Sequence, residues 1–173
     1  MESMMQISPK VLIGFTDADW AGDLDTHHST SRYTFLLGGG AISWGSKTQT
    51  SPALSSMEAE YVGATQATQE AMWLRQMLSD LDILQTNPTR IWCNNQSTIA
   101  LSSNLGSYAR TKHIAVRHHF VRNAITCGHI SLAWIPTERQ TADILTKSLG
   151  KIRHEQFCTS MGLVPKLRGG VEP

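Results

Sequence analysis

The stretch from Ser55 to Leu81 constrains this chain more than any other. Ser55-Ser56-Met57-Glu58 has the pattern of a capping box, with Ser55 as N-cap and Glu58 three residues on, reaching back to the cap amide. It predicts a helix from Ser56 to about Leu81, the longest element. Met57, Tyr61, Ala64, Ala71, Leu74, Leu78 and Leu81 form its apolar stripe. Met72 and Trp73 read as core or edge packing. Glu58 therefore has a local structural task, and Glu60 does not. At helical spacing Glu60 lines up with Ala64, Ala67 and Ala71, a row of small residues that lets another element approach closely. A carboxylate in such a row needs a partner or a metal, because an unpaired buried charge is very costly. Glu60 is thus the first candidate functional residue.

The chain before this helix reads as strands. Val11, Ile13, Phe15 and Asp17 alternate along Val11–Asp17, which puts Asp17 at the end of an apolar row. Asp17 either opens a turn or serves a site there. Ala18–Ser31 is turn-like. Tyr33–Leu37 and Ala41–Lys47 are β-rich and flank Gly38-Gly39-Gly40, which predicts a hairpin. After the helix, Thr89–Cys93 is a short, buried strand. Asn94-Asn95-Gln96-Ser97 leaves its end and opens a short helix, Thr98 to Ser103, by Asn or Ser capping. Polar groups leaving a buried strand point to the ligand side of an α/β sheet. A helix over Ile114–Cys127 follows, with Val116, Phe120, Val121 and Ala124 as its apolar face and a basic start. His129–Ile135 is a fifth strand. Thr137 with Gln140 predicts a second capping box, and Asp143 falls on the second turn of that helix. Lys151–Met161 is one more amphipathic helix.

A chain of 173 residues suits one domain with a sizeable core. The domain is expected over 11–164, between a polar lead-in at 1–10 and a frayed tail at 165–173. A net charge of +1 carries no global signal for nucleic acid, so any such contact needs a local patch. Cys93, Cys127 and Cys158 form no CxxC pair, which argues for a reducing compartment and against a disulfide framework. No apolar run is long enough to span a membrane. Three antiparallel strands, then helix, strand, two helices, strand and helix describe a mixed α/β (α+β) sheet with packed helices.

The ordered set TDADWAGD (Thr16–Asp23), STS (Ser29–Ser31), GGGAISW (Gly38–Trp44), SSMEAEY (Ser55–Tyr61), WLR (Trp73–Arg75), CNNQS (Cys93–Ser97), RTKHI (Arg110–Ile114), RHHF (Arg117–Phe120) and PTERQTADILTK (Pro136–Lys147) resembles the ribonuclease H domain of copia-type (Pseudoviridae) LTR retrotransposon Pol polyproteins. The likeness runs over about residues 10 to 165. It implies a ribonuclease H-like fold, a five-stranded mixed sheet with helices on both faces. It implies hydrolysis of the RNA strand of RNA–DNA hybrids with two magnesium ions, manganese serving as a substitute. Carried over, the metal-holding and catalytic positions are Asp17, Glu60, Asn94 and Asp143. One ion would lower the pKa of the attacking water and the other would stabilise the leaving 3′ oxygen. Hybrid contacts are expected from Asp19, Asn95, Gln96, Arg110, Lys112, His113, Arg117 and His118, where short polar groups meet 2′-hydroxyls and basic groups meet phosphates. The alternative for the basic cluster is a solvated helix face. A zinc site is disfavoured, because His113 and His118 are five apart rather than four.

Two positions depart from the family pattern. Asn94 stands where an aspartate is expected, and Arg32 where a glycine tends to follow Ser-Thr-Ser. Asparagine is nearly isosteric with aspartate, so the fold should not register the change. The chemistry should, since a neutral carbonyl is a poorer ligand for a hard cation and leaves the site one negative charge short. Low or absent cleavage is therefore expected, and a non-cleaving module that grips hybrid or double-stranded nucleic acid is the alternative function. The resemblance further implies the reverse transcriptase portion of a parent polyprotein as partner and no membrane. The isolated domain is expected to be a monomer, sited in a cytoplasmic virus-like particle or in the nucleus.

Overall fold

The computed structural model describes residues 10–23, 25, 27–103, 112–145 and 149–164, with the backbone alone at 112–115. The strands are β1 (Ile13–Asp19), β2 (Thr30–Leu37), β3 (Gly40–Thr48), β4 (Thr89–Cys93) and β5 (Ile130–Trp134). The helices are α1 (Ser56–Asp80), α2 (Gln96–Ser103), α3 (Lys112–Thr126) and α4 (Lys151–Ser160), with 3-10 turns at Thr137–Arg139 and Thr141–Leu145. The expected lead-in, apart from Lys10, and the expected tail lie outside the described residues.

One mixed sheet runs in the order β3-β2-β1-β4-β5. β1 pairs antiparallel with β2 and parallel with β4, and β5 joins β4 in parallel. The β2–β3 hairpin turns at Gly38 and Gly39, whose φ of 64° and 83° suit residues without a Cβ. Alternation along β1 divides the core. Leu12 joins Phe35, Tyr61, Ala67, Ala71, Leu74, Leu78, Ile91, Val121 and Ala124 in a large cluster on the α1 and α3 face. Ile13 and Phe15 join Leu36, Ile135 and Ala142 in a smaller cluster on the other face, where the second 3-10 turn lies.

Helix α1 begins as expected, with Ser55 Oγ accepting from the Glu58 amide at 3.2 Å. Glu58 reaches back one residue beyond the cap, to the Leu54 amide at 2.8 Å. The row Ala64, Ala67 and Ala71 is wholly buried. Gly63 marks how close this helix comes to β1: a Cβ there would stand 3.3 Å from the Asp17 carbonyl oxygen.

Several expectations are corrected. β1 starts at Ile13 and runs two residues past Asp17, leaving Val11 exposed. Leu81 is exposed because it caps α1 through its own N–H, past the last residue the sheet can cover. Trp73 lies off the buried line of Ala67, Ala71, Leu74 and Leu78 and faces outward. Val116 is exposed as well. The inner line of α3 is His118, Val121 and Ala124, because the His118 ring stacks on Tyr61 at 4.2 Å. The second capping box does not form: Pro136 precedes a 3-10 turn without a side-chain cap, and Asp143 belongs to the next 3-10 turn rather than to an α-helix.

Candidate active site

The parallel register of β1 and β4 ends at Thr16 opposite Cys93. Asp17 and Asn94 are therefore the next residues on two neighbouring strands at the C-terminal end of the sheet. Ligands of open α/β sheets gather there, beside the strand where the chain order reverses. Asp17 is almost wholly buried, on the face it shares with Phe15. Glu60 reaches the same end from α1, one turn before the contact at Gly63. Both carboxylates act on Cys93. Burial first, then the charges of Glu60 and Asp17, push its thiol up to about 12, against a partial offset from the Asn95 backbone. Cys93 is thus an inert packing thiol at neutral pH.

Asp143 arrives from the opposite face. Gln140, with no exposed surface, donates from Nε2 to the Thr16 carbonyl at 2.8 Å, and its own carbonyl accepts from the Asp143 amide at 3.1 Å. A buried glutamine thereby ties the Asp143 turn to the residue before Asp17. The Asp143 Oδ2 also lies 3.8 Å from Arg153 Nη2 on α4. Gln49 does comparable work on the other side. Its Nε2 donates to Ser31 Oγ at 2.8 Å and to the Ala59 carbonyl at 2.9 Å, joining the end of β3 to the first turn of α1. The sequence pattern predicts a cap role for Gln140 and marks nothing at Gln49. A side-chain amide in a segment without helical or strand periodicity gave no signal of either role.

Arg32 is the least expected member of the site. It pairs with Asp17 across β1 and β2, so both side chains leave the same face. Its Nη1 lies 3.0 Å from Asp17 Oδ2 and its Nη2 3.2 Å from Asp19 Oδ2. Among the described residues it is the largest fully buried side chain. The glycine at 22 leaves room for Asp19 to bend in: a Cβ there would meet Asp19 Oδ2 at 2.4 Å. Asn94 Oδ1 is buried without a hydrogen-bond partner.

The other expected contacts separate. Asp19 is engaged by Arg32. Asn95 caps α2, its Oδ1 accepting from the Thr98 amide at 3.0 Å. Gln96 is exposed at the start of that helix. Arg117 is half-buried and lines a small polar cavity of about 120 Å³ with Lys47, Gln49, Thr50, Ser51 and Gln66. His118 is buried on Tyr61, which uses its ring for packing; burial, then Arg122 and His119, lower its pKa. Arg110 and the side chains of Lys112 and His113 lie outside the described residues.

The pair of divalent ions that the resemblance implies does not fit this site as it is built. Its central carboxylate is already held by a buried guanidinium, and its third position is a neutral amide. Among the described residues no group of three or more His, Cys, Asp or Glu side chains is placed to hold a metal ion.

No family model matches the chain. It is 43% identical over 148 residues to the Retrovirus-related Pol polyprotein from transposon TNT 1-94 of Nicotiana tabacum, covering 86% of this chain and 11% of the relative. It is 38% identical over 162 residues to the Retrovirus-related Pol polyprotein from transposon RE2 of Arabidopsis thaliana, covering 92% and 11%. The chain thus spans about a tenth of the length of these relatives. Among solved structures it resembles LC11-RNase H1 in complex with RNA/DNA hybrid, with a TM-score of 0.54 at 12% identity over 75% of this chain and 88% of that one.

Proposed function

From a chain that is homologous over most of its length to a segment of copia-type retrotransposon Pol polyproteins and has the ribonuclease H fold, we propose a domain that grips RNA–DNA hybrid and, as written, leaves the RNA strand uncut. Its intact relatives would hydrolyse that strand during reverse transcription, beside the reverse transcriptase portion of the same polyprotein and inside a cytoplasmic particle. Asn94 carries the loss of cleavage. It stands next to Asp17 at the end of β4, where a hard cation would need an anionic oxygen, and offers a neutral one. Glu60, Asp143 and Asn94 line the sheet end, with Gln96 exposed beside them and Arg117 and Lys47 near the start of α1. An A-form-like hybrid presents 2′-hydroxyls and phosphates to such a mixture of short polar and basic groups.

The test is direct. Fluorescence anisotropy with labelled hybrid, duplex RNA, duplex DNA and single strands gives the preference, and gel analysis with magnesium or manganese gives cleavage. Preferential binding of hybrid with intact RNA is expected, and affinity should fall as salt rises, since phosphate contacts release counterions. Equal binding of all duplexes would replace the hybrid reading with a general duplex-binding module. Hybrid cleavage at the rate of an intact enzyme would remove the role given to Asn94.

A further inference from the structure

We propose that Arg32 is a resident cation, a side chain that takes the place of a divalent ion on Asp17 and Asp19 and closes the carboxylate cluster to metal. The inference rests on the hybrid-binding reading above and goes beyond the loss at Asn94. Three observations carry it. The side chain is 1% exposed and forms ion pairs with two carboxylates at 3.0 and 3.2 Å, the first of them also a hydrogen bond. Arg32 is the third residue of β2, register-paired with Asp17, so strand geometry rather than a flexible arm delivers its charge. Its backbone is held as well, the Arg32 carbonyl accepting from Thr16 Oγ1 at 3.1 Å.

The consequences follow from charge. A divalent ion on Asp17 would compete with the guanidinium for the same oxygen and would meet a fixed positive charge beside it. Asn94 removes one anion, and Arg32 neutralises another, so restoring aspartate at 94 leaves the central carboxylate still occupied. The same neutralisation has a positive side. Carboxylates without counter-cations repel a phosphate backbone; with Arg32 on Asp17 and Asp19, hybrid can approach this end of the sheet without divalent ions. Arg32 is buried and acts through the carboxylates it holds, as a positioning residue.

The experiment compares the chain with Asn94→Asp, Arg32→Gln, Arg32→Gln/Asn94→Asp and Arg32→Lys/Asn94→Asp. Manganese uptake is read by calorimetry and electron paramagnetic resonance, hybrid affinity by anisotropy in EDTA, and folding by circular dichroism. Only Arg32→Gln/Asn94→Asp is expected to take up manganese. Hybrid affinity in EDTA should fall about tenfold for Arg32→Gln, the scale of one charge-assisted interaction, and the lysine variant should retain the native pattern. Manganese uptake by Asn94→Asp alone would overturn the proposal; so would uptake by the lysine double variant. These two outcomes can be read even if Arg32→Gln fails to fold, because both proteins keep the buried charge. Absence of hybrid binding by the unaltered chain would defeat the hybrid-binding reading, whereas manganese uptake by Asn94→Asp would defeat only the role of Arg32.

Discussion

The two sides of the site set their charge by different physical routes. On the β1–β2 side the carboxylate of Asp17 remains and a cation has been built against it. On the β4 side the strand end carries a neutral amide of nearly the shape of an aspartate, Asn94. An isosteric change at a half-buried strand end adds no volume and asks nothing of its neighbours. A buried arginine is different, since it must be paired wherever it goes, and here Asp17 and Asp19 have become parts of the fold. On the reading proposed above, the charge at 94 can be supplied by one substitution, whereas Asp17 is held as a structural group.

That contrast predicts the largest effect at Asp17. Asp17→Ala removes one partner of a buried ion pair and leaves the guanidinium with Asp19, whose side chain is 46% exposed. Breaking a buried pair in this way costs about 3–5 kcal/mol, so urea unfolding should show a large drop in midpoint at unchanged slope. A loss below about 1 kcal/mol, the worth of a surface ion pair, would mean that the pair is not integrated into the fold and the contrast fails.

Gln140→Ala comes next. It removes a buried donor from the Thr16 carbonyl and opens space under the Asp143 turn. Leaving a buried acceptor unsatisfied costs about 1–3 kcal/mol. Because Gln140 links the Asp143 turn to β1, hydrogen exchange should also quicken around 141–145 while the α1 core stays protected. Uniform loss of protection would instead assign Gln140 to global stability alone.

Much of this was legible in the sequence, for reasons that particular residues show. The capping box at Ser55, the alanine row behind Glu60, the hairpin glycines and the exit of Asn94 from a buried strand are local signals, and local geometry fixes them. Pairing across strands is not local. That Arg32 faces Asp17 depends on the β1–β2 register, and its sequence neighbours show only an arginine where a glycine tends to follow Ser-Thr-Ser. The roles of Gln140 and Gln49 also lie in long-range bonds, the first to a residue 124 positions away. On α3 the apolar pattern pointed to Val116, and an aromatic partner on α1 turned His118 inward instead.

His118 gives a smaller, pH-dependent effect. Its pKa is lowered by burial first, then by Arg122 and His119. A group whose folded pKa is depressed contributes stability that is present above its unfolded pKa, about 6.5 for histidine, and is lost as pH falls through the folded value. Stability measured between pH 7.5 and 5.5 should therefore decline more in the chain than in His118→Phe, which keeps a ring against Tyr61 without a proton to gain. Parallel declines would show that other groups govern this range.

The smallest effect is expected at Asn94, and it tests the other half of the comparison. Asn94→Ala deletes an amide whose Oδ1 is buried and accepts no hydrogen bond. Removing an unsatisfied polar atom relieves its desolvation cost and offsets the packing that is lost. The change in unfolding free energy should therefore stay within about 0.5 kcal/mol, the range of substitutions that touch no structural feature. If urea unfolding instead shows a loss near that of Asp17→Ala, Asn94 has been absorbed into the fold as Asp17 has. The two sides of the site would then differ in charge but not in kind, and restoring the aspartate would carry a structural cost of its own.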